Sequence, residues 1–164
     1  MSYSEKRTIA SILGGILVLA AYCIYAFGKY QAGLLPADDL RAWAITMLIF
    51  IGAGIVAMII IQIVFHVLLS IGIAIRDRNT NEAEIENSIK YEMVEDERDR
   101  LIELKSSKVG FAFAGFGFVL ALLALVLHYS PMVMLNILFI AFAAGSMVEG
   151  ITSIFYYRNG IRNA

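Results

Sequence analysis

The chain has 164 residues, 60% of them hydrophobic and 16% charged, with 14 Asp and Glu against 13 Lys and Arg for a formal net charge of −1. That is too apolar for a soluble domain of this length, and near-neutrality removes the basic field that a nucleic-acid partner would need. The single cysteine, Cys23, lies within an apolar run and excludes a disulfide framework or a cysteine zinc site.

Long uncharged stretches recur four times, which predicts spanning helices rather than the short alternating strands of a barrel. The expected fold is all-α: an integral membrane four-helix bundle in one domain, residues 1–164. Its spans are placed at about 9–27, 44–75, 109–129 and 132–157, with a charged cytoplasmic helix at about 81–108 leading into the third. The first run, Ile9 to Phe27, follows Lys6 and Arg7 like the start of a secretory signal. It is longer than a signal's apolar core and lacks a small-x-small cleavage pattern, so a retained span is expected. A polar link, 28–41, holds Pro36, Asp38 and Asp39, and Trp43 after it suits a membrane–water interface, as do Tyr22, Tyr25 and Tyr30 on one side and Tyr156 and Tyr157 on the other. The second run, Ala42 to Ile75, carries no charge and would measure roughly 50 Å as a helix. It must therefore tilt or project through the headgroups.

The connection that follows is acidic. Asn79, Thr80 and Asn81 are candidate helix caps, and Glu82, Glu84 and Glu86 suit a first turn. Ile85, Ile89 and Met93 then recur at fourfold spacing, with Leu101 and Leu104 continuing the face, so an amphipathic helix could run unbroken into the third span. Glu86 with Lys90, Asp96 with Arg100 and Glu95 with Arg98 are paired at helical spacing. Between Glu82 and Asp99 stand eight acids and two bases. Glu92, Glu95, Asp96, Glu97, Asp99 and Glu103 form a candidate surface for a basic partner. Glu92, Asp96, Asp99 and Glu103 share one face that could attract divalent cations, and a merely solvated face is the plain alternative. No EF-hand spacing is present, and no bound metal or cofactor is expected.

The third run, from Val109 to about Tyr129, places Gly110, Ala114, Gly117, Ala121 and Ala124 on a heptad seam, with Phe111, Phe113, Phe116 and Phe118 on other faces. Small residues mark helix interfaces in lipid, either within one bundle or between copies in a homo-oligomer. Ser130 and Pro131 turn the chain into the fourth run, Met132 to Tyr157, whose Ala141, Gly145 and Glu149 follow at steps of four. Within the spans, Gln62, His66 and Ser70 make a polar stripe on the second helix, and Glu149 is the sole acid. His66 lies about 15 Å from Arg76 along its helix and Glu149 about 14 Å from Arg158, which predicts a His66–Glu149 contact with Gln62 or Ser146 as secondary partner. Such a pair is either a structural latch or part of a proton or cation relay. His128, at the far end of the third span, reads as interfacial.

With the N-terminus inside, eleven of the 13 Lys and Arg fall on the cytoplasmic side and only Lys29 and Arg41 outside, a strong positive-inside asymmetry. Both termini and the acidic connection are then cytoplasmic, in a cytoplasmic membrane. Gly52, Gly54 and Ala57 match a dinucleotide fingerprint in letters alone, without the preceding strand. No phosphate loop, nucleophile elbow or zinc-protease motif is present, so an enzyme is not expected.

Asp96, Glu97, Arg98 and Asp99, then Ile102 and Lys105 to Lys108 before a span, with Tyr156, Tyr157, Arg158, Asn159 and Gly160 after the last, resemble a family of small prokaryotic multi-spanning membrane proteins catalogued as a domain of unknown function. The resemblance covers about the second half of the chain, and Asn159 departs from a second basic residue in the family's ending. It implies a bacterial or archaeal cytoplasmic membrane and suggests association with a cytosolic helix-turn-helix regulator. The function expected is non-enzymatic: an acidic cytoplasmic helix presented for partner binding or regulation. The alternative is a small oligomeric channel or transporter using the His66 and Glu149 region.

Overall fold

The computed structural model describes residues 3–76 and 97–160, without the side chains of residues 3, 4, 66, 69, 70 and 72–76. Four helices account for nearly all of it: α1 (Tyr3–Gln31), α2 (Leu40–Arg76), α3 (Glu97–Val126) and α4 (Pro131–Asn159). All four contain a segment long and apolar enough to cross a membrane, as expected of uncharged runs whose backbone polar groups must be satisfied internally. The chain is an all-α, multi-pass membrane bundle.

The helices alternate in direction. Glu5 meets Arg158, Gly54 faces Val18, and Gly117 faces Ala141. The start of α1, the end of α2, the start of α3 and the end of α4 therefore lie at one end of the bundle, and the two short links lie at the other. The charge asymmetry read from the sequence follows this division: Arg7, Lys105, Lys108 and Arg158 are at the first end, Lys29 and Arg41 at the second.

Packing is uneven. The most extensive interface joins α3 to α4; α4 also packs on α1, α1 on α2, and α2 touches α4 sparsely. The predicted seam is the α3 face of the main interface: Gly110, Ala114, Gly117, Ala121 and Ala124 are all buried, and Ile102 and Ser106 continue it one turn at a time toward the helix start. Ala141, Gly145 and Gly150 are buried on α4. A methyl group on Gly110 would stand 2.8 Å from the Gly145 carbonyl oxygen, and one on Gly145 would stand 2.8 Å from that of Gly110. The two backbones thus cross where neither can carry a side chain. The seam is consumed within the chain, while Phe111, at 77% exposure, and Phe116 face outward.

Helix ends are closed by local chemistry. Gly33 N–H donates to Tyr30 O and Leu34 N–H to Lys29 O, a Schellman closure of α1 with Gly33 at φ 68°. The end of α3 repeats it, His128 N–H to Leu125 O and Tyr129 N–H to Ala124 O, but here His128 holds the left-handed position at φ 64°. Ser130 is extended, as a residue before proline prefers, and Pro131 opens α4. Asp39 caps α2 by accepting the Ala42 N–H at 2.9 Å.

Two of the aromatics read as belt residues are covered by protein rather than open to the surroundings. Trp43 is 3% exposed beneath the α1–α2 link, packed with Leu35, and its indole N–H donates to Pro36 O at 3.0 Å. Tyr22 is 1% exposed among Phe50, Phe139 and Leu135, and its hydroxyl donates to Asn136 Oδ1 at 2.7 Å. The phenol has a part-buried acceptor on α4, so an apolar setting costs it no hydrogen bond. Tyr25 and Tyr30 are exposed.

Candidate functional site

Polar side chains converge at the end of the bundle that holds the helix start of α1 and the helix end of α4. A pocket of about 320 Å³ lies there among all four helices. From α1 come Arg7, Thr8 and Ser11, and from α3 come Asp99, Glu103 and Ser106. Both sets follow helical spacing and so occupy single faces. The α4 wall is supplied by Ser146, Glu149, Gly150, Ser153 and Tyr157, and α2 contributes Met58.

The seam creates the pocket. Glu149 follows Gly145 by one turn, and its Cβ rests over Gly110, where a methyl group would come within 2.8 Å of it. The absence of a side chain at Gly110 is what lets the acid stand beside α3. Among the described residues, its carboxylate has no hydrogen-bond or ion-pair partner. Ser106 and Ser146 hydroxyls donate to Ile102 O at 2.7 Å and Phe142 O at 3.3 Å, within their own helices, which leaves their oxygen lone pairs to the pocket. Two clamps hold the rim: Arg158 pairs with Glu5 at 3.8 Å, joining α4 to α1, and Arg98 Nη2 donates to Tyr157 O at 3.3 Å, joining α3 to α4.

Glu149 stands nine residues before Arg158 on α4. It is level with Gly110, two residues beyond Lys108, and its neighbour Gly150 packs on Thr8, next to Arg7. The last turns of α4 run alongside the charged start of α3, so the acid sits where the apolar runs of α1 and α3 begin. Its α2 neighbour is Met58, eight residues or about 12 Å along the helix from His66. The side chains of His66 and Ser70 lie outside the described residues. Gln62 lines a second, apolar cavity that adjoins the pocket, and Ser146 lines both.

Of the acids read as a partner surface, Asp99 and Glu103 line the pocket while Glu97 is exposed at the start of α3. Glu92, Glu95 and Asp96 lie outside the described residues, as do the three predicted opposite-charge pairs. From Glu97 onward α3 is continuous through Lys108 into the span, as the amphipathic pattern implied. Among the described residues no group of His, Cys, Asp and Glu is arranged to hold a metal ion. Arg7 was read in the sequence only for its charge and Tyr157 only as an interfacial ring and part of the family-like ending; Thr8, Ser11, Ser106 and Ser153 were not singled out. Their common signal is a small or hydroxylated residue within two turns of a charged helix end, too frequent a pattern to pick out without the register between helices. Comparison with protein-family models, curated proteins and solved structures finds no match for this chain.

Proposed function

We propose that this is a non-enzymatic regulator of a prokaryotic cytoplasmic membrane, with both termini cytosolic, in which a ligand pocket at the cytosolic end is coupled through α3 to an acidic surface that binds a cytosolic protein. The observation that carries this reading is the continuity of α3. One uninterrupted helix bears Glu97 on its exposed side, Asp99 and Glu103 on the pocket wall and the glycine seam on α4. A change in pocket occupancy that shifts the α3–α4 pair against α1 and α2 necessarily moves the acidic face attached to it, because packed helices move as rigid pieces.

A photo-crosslinker at the exposed Leu101, introduced into the full chain in native membranes, tests the partner. A discrete adduct is expected, lost when Glu92, Glu95, Asp96 and Glu97 are changed to their amides, while reconstituted protein conducts no ions. An adduct pattern indifferent to those four acids, or acid-dependent ion flux, contradicts it. The channel alternative needs a polar path to the far side, and the lining away from this pocket, through Leu19, Met47 and Phe50, is apolar. That favours the regulator.

A further inference from the structure

The polar pocket does not end at its own walls. Thr8, Ser11, Met58, Ser146 and Gly150 also line the adjoining cavity, a space of about 770 Å³ between α2 and α4 with α1 as its floor. Glycines make that room: Gly15 and Gly54 stand along it, and methyl groups there would only reach ordinary contact with Met147 and Val18 at 3.8 and 3.6 Å. The cavity is open at the side, since α2 and α4 barely meet and rim residues such as Ile55 and Phe142 are exposed. The joined space is therefore asymmetric. Its mouth is lined by the carboxylates of Asp99, Glu103 and Glu149 and the guanidinium of Arg7, with Arg158 paired to Glu5 and Arg98 bound to Tyr157 O at the rim, and its body is apolar.

We propose that the joined cavity binds a lipophilic organic cation, a bulky amine, quaternary ammonium or phosphonium compound, with its charged centre beside Glu149 and its apolar body between α2 and α4. Charge complementarity selects this occupant. A phospholipid entering headgroup first would bring its phosphate against the carboxylates of Glu103 and Glu149, and a neutral amphiphile would leave Glu149 without a counter-charge. Ligand sites of this volume are mostly apolar with a few placed polar groups, which is the arrangement here. The inference rests on reading the pocket as a ligand site, and it names the ligand.

The test is equilibrium dialysis of the full chain in a non-ionic detergent with tetraphenylphosphonium, and in parallel with tetraphenylborate, which has the same shape and the opposite charge. Saturable binding of the phosphonium at one per chain is expected, with no saturable binding of the borate. Glu149→Gln should weaken it at least tenfold and Glu149→Asp less. Ala57→Phe, which fills the cavity wall away from the acids, should also weaken it at least tenfold. Each variant is first checked for helicity and a monodisperse elution profile. Equal binding of both ions by the unmodified chain, phosphonium binding unchanged by Glu149→Gln or by Ala57→Phe, or a tightly held phospholipid that the phosphonium fails to displace would overturn the proposal. The Leu101 crosslink is measured without any cation, so an intact crosslink with no phosphonium binding removes this inference and leaves the partner reading in place.

Discussion

Single residues decide the closest contacts in the molecule. At the α3–α4 crossing, Gly110 and Gly145 each face the other's carbonyl at a distance no Cβ tolerates. Gly145→Val should therefore cost about 1–3 kcal/mol or more by overpacking, seen as a lower midpoint in detergent unfolding, whereas Gly115→Ala, which meets nothing within 4 Å, should leave it unchanged. His128 offers the opposite experiment. It occupies a left-handed position that costs an L-residue roughly 1 kcal/mol or more, in the same closure that Gly33 makes on α1. His128→Gly should hold or raise the unfolding midpoint, and a fall would show that the imidazole has a contact of its own. The seam glycines were legible in the sequence because small residues at threes and fours have one use in lipid. The conformation of His128 was not, because the letters around it mark a helix end without saying which residue turns left.

Helices as units explain what else could and could not be read. Apolar length located all four, and the short break read at Ser130 and Pro131 implied the α3–α4 hairpin, which residues 127–130 close. The register between α1, α2 and α4 could not be derived from any one helix, so Tyr22 passed for an interfacial ring although Asn136 stands opposite it on α4. An Asn inside an apolar run was the available signal, since a polar group at that depth needs a partner. Tyr22→Phe removes the donor to Asn136 Oδ1 and should destabilise the bundle by about 0.5–1.5 kcal/mol, measured by the same unfolding; no change would mean that the bond to Oδ1 adds nothing, the Asn136 Nδ2 donating to Met132 O in either case. The same gap in register hid the surroundings of Glu149: α4 alone names none of its neighbours, and only the packed helices bring the charged starts of α1 and α3 beside it. Hydrophobic runs say how long each helix is, while depth belongs to the set.

For the whole molecule, the alternation of helix direction gives a definite topology to check. In a Cys23→Ser background, a membrane-impermeant thiol reagent applied to intact cells should label Ala32→Cys and spare Asn159→Cys until the membrane is opened. The reverse pattern would invert the assigned orientation without touching the fold. The uneven packing gives the assembly its mechanical character: α3 and α4 are locked by backbone contact, α1 is pinned to them by Gly150 and the Glu5–Arg158 pair, and α2 is held chiefly by α1.

At 37 residues α2 is about 55 Å long, well beyond a hydrocarbon slab of about 30 Å. It is also the wall that faces α4 across the open space. A helix with such surplus length leans or projects through the headgroups, and any lean of this one loosely tethered mast alters the aperture beside Phe142. Bilayer thickness, a property of the surrounding lipid rather than of any dissolved ligand, would then regulate how wide that aperture stands.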